Sequence, residues 1–195
     1  MFMPTALSPE SLLAELPTFF SAVDALLSDI GVDAGNLPAD HLAIRVNSLE
    51  TAQTLYPQWQ AKGRRISDAI INGRPIWIVK LTQPLTVARW TIPCIELPFP
   101  TQKRYPNEGW EHVEFVIPGG ALTLDELERQ LALNQPAICL EERQLAAKGI
   151  SLKRSSPKAE SEQLPNPTLA FKRDNICVKF HSFDIEAVIA SEQSR

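Results

Sequence analysis

The sequence predicts an α+β protein made of two copies of one small βαβββ module, and three observations predict it. An acid-His-apolar-x-apolar strand occurs twice, as DHLAIRV (residues 40–46) and as EHVEFVI (residues 111–117). Each copy is followed by a helix-start signal and then by three strand-like runs. The two histidines, His41 and His112, stand 71 residues apart (112 minus 41). That is too long for a solenoid repeat, and it suits two modules that share one sheet.

The chain opens with a helix. Ser8 is an N-cap and Pro9 sits where no N–H is needed. Leu12, Leu16, Phe19, Phe20, Val23, Leu26, Leu27 and Ile30 recur at helical spacing, and Gly31 is the stop. Pro17 predicts a kink or the start of a second helix. In the first strand Leu42, Ile44 and Val46 point one way, and His41, Ala43 and Arg45 the other. Asn47 and Glu50 form a capping-box pattern for a helix running to about Lys62, with Gly63 as its stop. Three strands follow: RRISDAII, closed by the Asn72-Gly73 hairpin signal; RPIWIVKL; and one within ARWTIPCIEL, where Pro93 predicts an edge or a bulge.

The second copy runs in the same order. Thr123 and Glu126 make a capping box, LDELERQLAL a helix, and ISLKRS, TLAFKR and ICVKFHS three strands. KRYPNEGW (103–110) joins the copies, SSPKAESEQLPNPT (155–168) reads as a loop ordered by its prolines, and a short helix runs from Ile185 to about Ser191. The predicted division is one domain, 1–195, with an N-terminal helical segment (1–35), a first module (36–102) and a second (103–195).

Composition narrows the function classes. A 195-residue chain with a 44% hydrophobic fraction has a real core. A net charge of −4, with scattered Lys and Arg, disfavours nucleic acid. The N-terminus lacks a basic, then apolar, secretory pattern, and no run approaches the ~18 apolar residues of a membrane span. Cys94, Cys139 and Cys177 are odd in number and lack CxxC spacing, which predicts buried free thiols of a reducing compartment. A soluble cytoplasmic protein is expected.

The chemistry lies in the histidines. All three, His41, His112 and His181, sit in or at the end of alternating strands, the first two at equivalent places. The last strand of each module ends in a donor, Glu96 in CIELP and His181 in VKFHS. Pairing His41 with His112 and Glu96 with His181 gives up to four N/O ligands for a divalent ion: Zn, Fe, Ni, Co or Mn. Glu114 lies two residues past His112 and shares its face, as a rival ligand, a catalytic base or an imidazole-orienting partner. Arg45 and Lys179 share faces with His41 and His181 and point to a small anionic ligand. Asp40 and Glu111 each precede a histidine, which places them outside the cup. Trp77 and Trp110 are candidate pocket walls, although aromatic residues are more often core.

On these residues the sequence resembles a known group. ADHLAIR, INGRPI, IELPFP, KRYPNEGWEHVE, SSPK, LPNPT, KFH and IEAVIASEQS look like the YecM family of bacterial proteins, within the vicinal-oxygen-chelate superfamily of glyoxalases, extradiol dioxygenases and bleomycin-resistance proteins. The resemblance covers nearly the whole chain. It implies paired βαβββ modules forming an incomplete, cupped barrel, with metal donors at His41, Glu96, His112 and His181. It further implies an isomerase, lyase, epimerase or dioxygenase acting on adjacent substrate oxygens, or a non-catalytic small-molecule or metal-binding protein on the same fold. Glyoxalase-type sites usually end in a carboxylate base; here that position is His181.

Overall fold

The computed structural model of the protein describes residues 7–71, 73–156 and 164–193. Helix α1 spans Pro9–Asp29. The Ser8 hydroxyl accepts from the Ser11 amide at 3.1 Å and the Ser11 hydroxyl accepts from the Ser8 amide at 3.0 Å, so two orphan donors of the first turn are satisfied reciprocally. Pro17 neither ends nor restarts this helix. Leu12 and Leu16 before it and Phe20 and Val23 after it are all buried on one apolar stripe, and that burial outweighs one lost backbone hydrogen bond. Gly31 follows with φ +77°, and an added Cβ there would lie 2.0 Å from the Ala137 carbonyl oxygen. By length and composition α1 could cross a bilayer, but its apolar side is buried in the protein's main core.

A short 3-10 turn at Ala34–Asn36 leads into β1, Ala39–Arg45. Then come α2 (Leu49–Gln60), β2 (Gly63–Ser67), β3 (Ile70–Ile71), β4 (Arg74–Val87) and β5 (Trp90–Pro98). The second half holds β6 (Gly109–Val116), α3 (Leu124–Asn134), α4 (Glu142–Ala147), β7 (Ser151–Ser155), β8 (Thr168–Arg173), β9 (Ile176–His181) and α5 (Ile185–Gln193). The nine strands make one large curved, open sheet in the order β2-β4-β5-β1-β6-β9-β8-β7, with β3 paired to β4. Leaving the two-residue β3 aside, each half reads outward from the β1–β6 pair as its first strand, then its last, its third and its second. The fold is α+β, as expected, and β1 and β6 are antiparallel neighbours at its centre.

Several local expectations are corrected. The N-cap of α2 is Ser48, whose hydroxyl accepts from the Thr51 amide at 3.0 Å. Asn47 instead clamps the inter-module connection, donating to the Tyr105 carbonyl and accepting from the Tyr105 amide. RRISDAII is two strands, because the register against β4 shifts between Arg65 and Ser67 and the Ala69 amide turns back onto the Ser67 hydroxyl. Pro93 marks a bulge and not an edge. Its strand lies between β4 and β1, and the β4 register jumps from Lys80↔Cys94 to Leu85↔Ile92 around it. Gly73, at φ +76°, closes a two-residue hairpin; Asn72 lies outside the described residues, as does 157–163 of the loop expected at 155–168.

The sheet has two differently used faces. The convex one packs against helices: Leu42, Ile44, Val113, Phe115, Val178 and Phe180 are fully buried in the main core with α1 and α2. Trp110 belongs there too, donating from its indole to the Leu12 carbonyl at 2.8 Å, and Trp77 packs on Tyr56 and Phe99. Neither tryptophan walls the cup. The concave face carries a smaller apolar cluster, where Ile185 and Ile189 of α5 cover Ile76, Ile78 and Cys94. Beside that cluster the cup stays open.

Candidate metal centre

The two central strands position the site through a pair of matching irregularities. Regular alternation sends Asp40 and His41 to opposite faces of β1. The register reads Ala39↔Phe115 and then His41↔Glu114, so two steps along β1 oppose one along β6 and Asp40 is the extra residue. Three residues on, Ala43↔His112 is followed by Ile44↔Trp110, and now Glu111 is the extra residue on β6. A bulge re-aims the side chain it carries. Asp40 thereby reaches back to put Oδ2 2.8 Å from His41 Nδ1, and Glu111 forms the equivalent hydrogen bond with His112 Nδ1. Simple alternation predicts both acids outside the cup; they are buried or half-buried beside the imidazoles instead.

With each Nδ1 occupied, the two Nε2 atoms face the cup. His41 Nε2 lies 3.6 Å from Glu96 Oε2 and 3.4 Å from Glu114 Oε1. His112 Nε2 lies 3.8 Å from Glu96 Oε1 and 3.1 Å from Glu114 Oε1. One donor atom from each of His41, Glu96, His112 and Glu114 falls within 4.8 Å of the others. His41 Nε2 is buried and has no hydrogen-bond partner among the described residues. Metal–nitrogen and metal–oxygen bonds of about 2.0–2.2 Å set neighbouring donors roughly 3 to 3.5 Å apart, so the residues present fit a divalent ion.

His181 does not join that group. Its Nδ1 stands 3.1 Å from the Asn166 amide nitrogen and 3.6 Å from Glu114 Oε2, the oxygen turned away from His41 and His112. Its Nε2 is 3.4 Å from Asp40 Oδ2. The strand registers explain the displacement. Cys94 pairs with His41 and Cys177 with His112; Glu96 pairs with Ala43 and Lys179 with Glu114. The counterpart of Glu96 is therefore Lys179, and the pairing of Glu96 with His181 expected from strand ends is off by one inward-facing position. In the second half the carboxylate comes from Glu114 on β6, and the Lys179 ammonium sits 2.6 Å from its Oε1 and 3.0 Å from His112 Nε2.

The electrostatics follow from this crowding. Burial pushes the His41 imidazole toward neutrality, but the Glu114, Asp40 and Glu96 carboxylates outweigh it and raise its pKa well above the ordinary value. Burial opposes ionisation of Glu96 and Glu114 as well; His41, His112, Lys179 and, for Glu96, Arg45 hold both below the usual carboxylate range. Burial lowers His181, with Glu114 and Asp40 opposing it only in part. Arg45, 8% exposed, reaches Glu96 at 3.4 Å and Glu111 at 3.3 Å. Arg45 and Lys179 both line the cavity of about 330 Å³ above the cluster, as do Glu111, Glu114 and His181.

Strand alternation alone does not predict Asp40, Glu111 and Asn166 as partners of the histidines. A signal for the first two was present: each copy has its acid immediately before the histidine. Asn166 carries no such signal, since its contact with His181 depends on the return of the chain into β8.

The comparisons with known proteins agree along the chain. The family described as YecM protein matches residues 8–192. Protein YecM of Escherichia coli (strain K12) is 43% identical over 185 residues, covering 95% of this chain and 94% of that protein. A protein of Haemophilus influenzae (strain ATCC 51907 / DSM 11121 / KW20 / Rd) is 33% identical over 182 residues, covering 90% of this chain and 91% of its own length. Among solved structures, the structural-genomics protein EC4020 is similar with a TM-score of 0.79 and 39% identity, over 94% of this chain and 92% of that one.

Proposed function

The chain belongs to the YecM family, and on that footing we propose that it binds one divalent metal ion between His41, His112, Glu96 and Glu114 and presents that ion to a small molecule with two adjacent oxygens. One observation carries the reading. Both imidazoles have Nδ1 held by a bulged carboxylate and Nε2 turned toward two glutamates, which is the arrangement that fixes tautomer and ring orientation at metal sites. The metal, when bound, would polarise a chelated substrate oxygen and stabilise the charge that develops on it. The carboxylates that raise the His41 pKa would make a divalent ion compete with a proton for that imidazole.

The chain's own residues set the rest. Asp40 and Glu111 orient the ligands, and Arg45 fixes Glu96 and Glu111. The division into modules 36–102 and 103–195 after a helical segment 1–35, within one domain, is supported by the matching order of the two halves of the sheet. This is the vicinal-oxygen-chelate arrangement, and the reaction classes that fit it are isomerisation, epimerisation, lyase chemistry and oxygenation. Glu114 is the group for a proton step, with His181 next to its second oxygen. A cytoplasmic setting agrees with three free cysteines.

A non-catalytic binding protein on the same fold is the second reading, and one observation favours it. Lys179 ties down Glu114, the carboxylate that a proton-transfer step would need free. Titration calorimetry with zinc, cobalt and manganese tests the metal reading. One ion per chain is expected for the intact protein, with large losses for His41→Ala and Glu114→Ala and a small one for His181→Ala. Binding unchanged by His41→Ala overturns it.

A further inference from the structure

We infer that the mouth of the cup holds a second anion-binding subsite, formed by Arg74, Lys103 and Lys153, so that the ligand is a 2-hydroxy or 2-oxo acid with another anionic group at its far end. The inference rests on the metal-chelate reading above and adds the ligand's second pole. The two cations deep in the cavity are matched by acids: Lys179 by Glu114, and Arg45 by Glu96 and Glu111. Their charge is balanced within the protein and leaves little for a ligand.

The outer cations are different. Arg74 opens β4 just after the hairpin, Lys103 comes from the inter-module connection, and Lys153 lies on β7 in the other half of the sheet. Three segments far apart in sequence thus bring positive charge to one cavity. None of the three has an acidic partner among the described residues; Lys103 rests its ammonium 5.0 Å from the Tyr105 ring centroid. Arg74 shares strand parity with Ile76, and Lys153 pairs with Ala170, and both of those neighbours line the same cavity. The lining of the same cavity also includes Ile185 and Val188 of α5. A cavity with a metal-binding pole, an apolar wall and a cationic rim fits a short carbon chain with an anion at each end. Guanidinium and ammonium groups bind phosphate and carboxylate alike, so the shared chemistry is a terminal oxyanion.

The test is calorimetry on the full chain loaded with cobalt(II), using three probes with the same carboxylate-plus-hydroxyl head: glycerate, 3-phosphoglycerate and 2-hydroxyglutarate. At least one probe with a second anion should bind about tenfold or more tighter than glycerate, the factor expected for one charge-assisted contact. Tightening by 3-phosphoglycerate alone assigns a phosphoryl group to the rim, and tightening by 2-hydroxyglutarate alone assigns a carboxylate. The triple variant Arg74→Gln/Lys103→Gln/Lys153→Gln should lower that probe to the glycerate level and leave glycerate and cobalt binding unchanged. Equal affinities in the wild type, or a preference that survives the triple variant, overturn the subsite alone. Cobalt binding with no affinity for any probe overturns the chelate reading along with it.

Discussion

Asp40 and His41 are consecutive residues of one strand, yet their side chains meet, Oδ2 to Nδ1 at 2.8 Å. The bulge at Asp40 makes that contact, and the bulge at Glu111 makes the same contact to His112 one module later. The same aspartate also accepts from the backbone amide of Ile185, so it ties β1 to the start of α5. Orientation of the ligands and closure of the cup by the last helix share one carboxylate.

Asp40→Asn and Glu111→Gln should each weaken metal binding by roughly 10–100-fold, the usual cost of losing a group that orients a ligating histidine. Calorimetry measures this directly. Asp40→Asn should also lower the melting temperature of the metal-free protein, because the amide holds the Ile185 contact less well than a carboxylate. Wild-type affinity in both variants would show that the bulged acids do not orient the imidazoles.

Lys179→Met should strengthen metal binding, by roughly tenfold or more. The ammonium touches Glu114 and His112 and so competes for two of the four donors, and like charges a few ångströms apart in a buried site repel strongly. Competition titration against a chelator reads the change. Weaker binding in the variant would mean that Lys179 helps to build the site rather than to oppose the ion.

Cys139 should be the one thiol of the native protein that iodoacetamide modifies at pH 8, with all three reacting after denaturation. Cys94 and Cys177 are buried, and burial pushes the Cys177 thiol up to about 12. The fold favours the neutral thiol. Its contribution is therefore fully present below the ordinary value of 9.0 and is lost as pH rises toward about 12. Mass spectrometry counts the adducts. Rapid native labelling of Cys177 would contradict the burial.

Much of this was legible in the sequence because it is periodic. Two copies of one strand pattern, two helix starts and two sets of three strands predict the paired modules, and position alone points to His41, Glu96 and His112, whose donor atoms the fold brings within 4.8 Å of one another. What stayed hidden depends on register. The displacement of His181 follows from Lys179, not His181, facing Glu114 across β6 and β9, and strand ends do not reveal a two-residue offset. The aim of Asp40 and Glu111 follows from bulges, which break the regular alternation of strand side chains. The burial of Trp110 follows from α1 lying over the sheet, a contact across 98 residues of chain.

The most direct measurement is anomalous diffraction from crystals of the untagged protein loaded with cobalt(II). The account predicts one strong peak per chain in bonding contact with His41 Nε2, His112 Nε2, Glu96 and Glu114, and none at His181. A peak elsewhere in the molecule, or no ordered ion while Lys179 keeps its contacts with Glu114 and His112, would contradict it.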